Sequence, residues 1–74
     1  MLTVQVFRAT ECLFSGTATQ VVIPGEGGEL AILGCHAPTL CVLTEGELHI
    51  DATHLAVRRG IARVARNTVT ILAT

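Results

Sequence analysis

A two-residue alternation of side-chain character recurs along most of this chain. Leu2, Val4 and Val6 alternate with Thr3 and Gln5, and Thr17, Thr19, Val21 and Ile23 alternate with Ala18, Gln20 and Val22. Successive side chains of a strand point to opposite faces, so this period separates a buried set from a solvated one, and β-branched residues suit that pleated surface. The pattern predicts two long strands there, with residues 11–16 as a short apolar piece ending in a Ser15-Gly16 turn. Pro24-Gly25-Glu26-Gly27-Gly28 reads as a loop, with Pro24 closing the strand before it. Further strands are predicted over 29–33, 39–43, 47–51, 54–57, 60–66 and 69–73, with a tight hairpin near Ala52 and a turn at Asn67. In 47–51, Leu48 and Ile50 face one way while Glu47, His49 and Asp51 face the other. There is no helical stripe of useful length. About eight to ten short strands joined locally predict an all-β fold, a small antiparallel β-sandwich or flattened barrel spanning residues 1–74 as one domain.

Half the residues are hydrophobic, 15% are charged and mean hydropathy is +0.60, which excludes a disordered tail. A net charge of −1 and only 3% aromatic residues supply neither a cationic field nor stacking platforms, so nucleic acid is not expected as a partner. A domain this small hides only about 60% of the surface of its unfolded chain. Its aliphatic surplus should therefore remain outside unless another protein covers it. No stretch approaches the roughly 20 apolar residues of a membrane-spanning helix, and the N-terminus lacks the unbroken apolar core of a secretory signal. Three cysteines, Cys12, Cys35 and Cys41, fit reduced thiols in a reducing compartment, acting as small buried hydrophobes.

Cys35-His36, Cys41, Cys12, His49 and His54 contain no close ligand pair of the C-x2-C kind, so the spacing predicts no metal site. Cys35 and His36, adjacent on an extended segment, point to opposite faces and do not make a nucleophile and base. The six acidic residues read as solvated charges, and the glycine-rich loop lacks the Lys-Ser/Thr ending of a phosphate loop, so neither catalysis nor a cofactor is expected. Arg58, Arg59, Arg63 and Arg66 hold four of the five basic charges. They read equally as protection of a strand edge or as a patch that docks on an acidic partner.

Val21-Val22-Ile23-Pro24-Gly25, then Gly28-Glu29-Leu30-Ala31-Ile32-Leu33, then His36-Ala37-Pro38 form a signature that resembles the N-terminal β-sandwich of the epsilon subunit of F-type ATP synthases. Leu13-Phe14-Ser15-Gly16, Gly46-Glu47-Leu48, Gly60-Ile61-Ala62-Arg63-Val64 and Val69-Thr70-Ile71-Leu72-Ala73 extend the resemblance over nearly the whole chain. It implies a non-catalytic rotor component that grips the central-stalk gamma subunit and rests on the c-ring, coupling proton transport to ATP synthesis or hydrolysis. It also implies a peripheral position on the cytoplasmic face of the membrane. Glu29, His36, Ala37 and Pro38 match positions facing the c-ring. Arg8, Leu40, Cys41 and Val42 match the side turned toward gamma, although Leu40 and Val42 read equally as core residues. The sequence stops at Thr74, where typical members continue into two helices that restrain ATP hydrolysis and in some bind ATP. Without those helices ATP binding is not expected. The competing expectation is a stand-alone β-sandwich that binds an unrelated protein or oligomerises through the same patch.

Overall fold

A computed structural model of the chain describes residues 1–35 and 37–74. Its strands are β1 (Leu2–Arg8), β2 (Glu11–Ala18), β3 (Gln20–Gly25), β4 (Gly28–Leu33), β5 (Thr39–Leu43), β6 (Gly46–Ile50), β7 (Thr53–Val57), β8 (Gly60–Ala65) and β9 (Thr68–Ala73). The expectation of an all-β chain with eight to ten short strands is met. The strands pair in the order β2-β1-β9-β8-β5-β3-β6-β7, with β4 also paired to β3. Only Gly25 and Leu43 are in register between β3 and β5. The curled sheet therefore divides there into two layers, β2-β1-β9-β8-β5 and β4-β3-β6-β7.

The alternation places Val4, Val6, Val64, Val69 and Ile71 of the first layer and Val21, Ile23, Ile32, Leu48 and Ile50 of the second in one buried cluster. Among the described residues no polar side chain is buried, so no internal hydrogen-bond network competes with apolar packing. Each core methylene withdrawn from water contributes about 0.8 kcal/mol.

Three local features differ from the sequence-based expectation. The run 17–23 is not one strand. The chain passes from one layer to the other at Thr19, and residues 11–18 form β2 against β1 with a register shift at Val6 and Phe7. Pro24 does not close β3, which continues through Gly25, so the loop of the β3–β4 hairpin shrinks to Glu26-Gly27. The sheet is not wholly antiparallel either, since β1 lies parallel to β9. Turn chemistry fits elsewhere. Arg66 and Asn67 both take positive φ, 51° and 58°, as the mirror-image two-residue hairpin turn requires. The Asn67 carbonyl accepts from Thr3 N at 2.8 Å and its side-chain Oδ1 accepts from Cys35 N at 2.7 Å.

Asp51 fastens the layer crossing at Thr19. Its carboxylate accepts from the Thr19 hydroxyl at 2.8 Å, from Thr19 N at 3.1 Å and from Gln20 N at 3.1 Å. The Thr19 hydroxyl and then the two backbone donors hold the Asp51 carboxyl below its ordinary value of 3.8. A depressed folded-state value stabilises the fold above the unfolded value and loses that contribution as pH falls through the folded one. Stability of the wild type should therefore decline on acidification below the ordinary aspartate range. In Asp51→Asn that segment of the pH profile should flatten, as read by thermal unfolding in a pH series. An unchanged profile would show that these bonds do not favour the ionised form.

Candidate functional site

Leu40 and Val42 occupy the outward phase of β5, with 71% and 56% of their surfaces exposed. Of the two readings open from sequence, the structure selects the outward one. Cys41, between them, turns the other way and packs half-buried against the core. It does not share the face presented by its neighbours.

Sheet register extends this outward face into a row. Val42 is opposite Ile61, Ile61 opposite Leu72, Leu72 opposite Phe7, and Phe7 opposite Cys12. Ile61 and Leu72 are 47% and 58% exposed, and Phe7 is half-buried. Neighbouring strands lie about 4.8 Å apart, so five strands carry the row across roughly 19 Å. The next row, Leu40-Arg63-Thr70-Gln5-Ser15, is polar except at Leu40. The apolar band is therefore narrow and bordered by donors and by one guanidinium, which is the composition of a docking patch. Sequence reading missed Ile61, Leu72 and Phe7. Their signal was available in phase: each is a large apolar residue at a position where the alternation calls for a polar one.

Arg8 ends β1 exposed, and its Nη2 donates to the Ala56 carbonyl of β7 at 2.7 Å. The guanidinium thus bridges the two layers at the end of the sandwich that also carries the Arg58-Arg59 turn and Thr74. There Arg58 N donates to Thr74 O, and Thr74 N donates to Arg59 O. Arg63 lies on β8, which is flanked by β5 and β9. It guards no edge, so the edge-protection reading does not apply at this position.

Glu29, Ala37 and Pro38 are all exposed, but the register does not gather them. Glu29 is opposite Pro24, beside the point where Gly25 meets Leu43 at the end of β5. Ala37 and Pro38 precede the other end of that strand. Glu29 instead lines a cleft of about 510 Å³ together with Leu30, Cys41 and Val42. His36 lies outside the described residues. The cysteines differ from the expectation of buried thiols, since Cys12 and Cys35 are exposed and only Cys41 is half-buried.

The histidines are also less dispersed than their spacing indicated. The two-residue turn Asp51-Ala52 puts His49 directly opposite His54. Their rings stack with centroids 4.1 Å apart and planes at 13°. Glu47, two positions before His49 on the same face, brings its Oε1 to 3.3 Å from His49 Nε2 and 3.8 Å from His54 Nδ1. No helix of the described residues is long and apolar enough to cross a membrane.

Residues 1–74 match the family described as ATP synthase, Delta/Epsilon chain, beta-sandwich domain. The chain is 43% identical to the ATP synthase epsilon chain of Acidithiobacillus ferridurans, over 95% of this chain and 52% of that one. It is 41% identical to ATP synthase epsilon chain 2 of Ralstonia nicotianae, over 99% and 56% respectively. The chain thus spans about half the length of the curated relatives it matches. Among solved structures it is similar to a chain in the cryo-EM structure of the Euglena gracilis mitochondrial ATP synthase that includes the c-ring. That match has a TM-score of 0.84 and 20% identity, covering 97% of this chain and 49% of the other. A chain in the central stalk and c-ring structure of the Tetrahymena thermophila enzyme matches with a TM-score of 0.78 and 18% identity, over 99% and 63%. At these identities the structural likeness concerns the fold.

Proposed function

This chain belongs to the family of ATP synthase delta/epsilon β-sandwich domains, and from that premise we propose that it is a non-catalytic rotor component of the central stalk. In this reading the outer face of β5, β8, β9 and β1 grips the gamma subunit. The segment containing Ala37 and Pro38 is turned toward the c-ring, with His36 assigned there by its place in the family signature. Rotation driven by proton transport is then transmitted to ATP synthesis, or hydrolysis drives it in reverse. The chain is peripheral to the membrane, held at its cytoplasmic face through the complex, and has no reaction of its own.

The observation that carries this reading is the registered apolar row Val42-Ile61-Leu72-Phe7, flanked by Leu40, on an outer face whose neighbouring row is otherwise polar. A specific protein contact buries about 800 Å² per partner, roughly a sixth of the 4522 Å² surface of this molecule. A row about 19 Å long with its bordering residues supplies a patch of that scale. Transmission of torque requires an interface that resists shear, and the row crosses five strands joined by ladder hydrogen bonds. Arg8, engaged with Ala56, is assigned to the margin of the contact, and Cys41 to its support from beneath. Glu29, which lines a cleft together with Val42, is assigned to the c-ring side by the family signature.

Capture of purified gamma subunit tests the proposal. The wild type should retain gamma and Leu40→Asp should lose it, because an unpaired carboxylate would be desolvated inside the contact. A stable homodimer that ignores gamma would instead favour a stand-alone interaction module.

A further inference from the structure

We propose that Glu47, His49 and His54 form a binding site for a divalent transition-metal ion, with zinc as the type ion, on the outward face of the β6–β7 hairpin. Two imidazole nitrogens and one carboxylate oxygen are the donor set that suits first-row ions such as Zn²⁺, rather than the all-oxygen shells of Mg²⁺ and Ca²⁺. The fold assembles this set without any special loop. A two-residue turn sets the register that places His49 opposite His54, and the period of the strand returns Glu47 to the same face.

The distances are close to those that coordination needs. The three donor atoms lie within 4.8 Å of one another. Bonds of about 2.0–2.1 Å in a tetrahedral site separate donors by about 3.3 Å. The pair His49 Nε2 and Glu47 Oε1 already meets that spacing at 3.3 Å. Closing the remaining separations requires the two imidazoles to rotate out of their stack so that their in-plane lone pairs converge, a movement that the exposure of Glu47 and His54 and the half-burial of His49 permit. The backbone beneath is fixed, because β6 pairs with β3 at Val21 and Val22 on its other side and Asp51 is tied to Thr19 and Gln20. Three protein donors leave a position for water, as in open zinc sites. An ion there would clamp β7, which ends the sheet order, to β6. The site shares no strand with the apolar row, so it does not depend on the stalk proposal.

Zinc titration of the purified chain by calorimetry, with thermal unfolding in parallel, tests the assignment. Because thiols compete for this ion, the measurement is repeated on a chain carrying Cys12→Ser, Cys35→Ser and Cys41→Ala. One Zn²⁺ should bind per chain in both backgrounds, with a dissociation constant on the order of a micromolar. At free zinc about a hundredfold above that constant, Tm should rise by roughly 10–20 °C. Loss of even an outer-shell partner weakens metal sites about tenfold or more, so His49→Ala and His54→Ala should each weaken binding by at least about that factor. Glu47→Gln should also weaken it while leaving the apo Tm nearly unchanged. The assignment is overturned by the absence of saturable binding, by binding that disappears with the cysteines, or by binding that ignores both histidine substitutions.

Discussion

Aspartate at both Ile61 and Leu72 will weaken binding of the gamma subunit by at least about a hundredfold. The two residues are opposite each other on β8 and β9, at the middle of the apolar row, and each is about half exposed in the free chain. Hot-spot residues near the centre of an interface cost about 2 kcal/mol or more when truncated, and each 1.4 kcal/mol is about tenfold in affinity. Burial of an unpaired carboxylate adds a desolvation cost to that loss. A pair of threonines at the same sites separates surface from fold, because threonine is β-branched and already occupies this face at Thr68 and Thr70. The threonine pair should weaken gamma binding by about tenfold or more and change stability by no more than about 1 kcal/mol. Equal affinities for wild type, threonine pair and aspartate pair would remove the row from the interface.

Alanine at Gly60 will lower stability by roughly 2–3 kcal/mol, a fall in Tm of about 10–20 °C for a domain of this size. Gly60 opens β8, where it is in register with Leu43 on one side and Ala73 on the other. A Cβ there would press on the Leu72 carbonyl oxygen and lie 2.8 Å from Ala73 Cα. Both obstacles are backbone, so no side chain can rotate away and β8 must separate from β9. Lowered freedom of the unfolded chain returns only about 0.4–1 kcal/mol. Gly27→Ala provides the contrast, since a Cβ at Gly27 meets nothing within 4 Å. It should stay within about 0.5 kcal/mol of the wild type. Equal Tm values for the two variants would contradict the close approach of β9 to Gly60.

The strands were legible in the sequence because strand geometry converts inside and outside directly into odd and even positions. Leu2, Val4, Val6, Leu48 and Ile50 are buried where the alternation puts them. The layer crossing at Thr19 was not legible, since Ala18-Thr19-Gln20 continues the alternation without a break. The group that fastens the crossing lies far along the chain, in the carboxylate of Asp51. The parallel pairing of β1 with β9 was hidden for the same reason, being a contact between the two ends of the chain.

The candidate surface was half legible. Leu40 and Val42 were identified through the family signature, but a single strand does not show which strands flank it. Ile61 and Leu72 became part of the face only when β5, β8 and β9 were set side by side. The meeting of His49 with His54 likewise follows from a two-residue turn, Asp51-Ala52, whose length decides whether histidines five positions apart stand opposite or staggered. Cys12 and Cys35 show the limit of residue type as a guide. Both are apolar enough for a core, yet one flanks Phe7 on the outer face and the other follows β4 in the connection to β5.

In the proposed assembly the outer face of β8 is covered by the gamma subunit, and chemical labelling at that face reads this coverage. Cysteine placed at Ile61, with Cys12, Cys35 and Cys41 replaced, would be exposed to a maleimide in the free chain. Saturation with purified gamma should slow its labelling by at least about tenfold, as expected for the desolvated centre of an interface. Labelling should remain unchanged at a cysteine introduced at Thr17, on the polar part of β2. Undiminished labelling of position 61 in a gamma-saturated sample, or failure of gamma to bind the chain, would contradict the account.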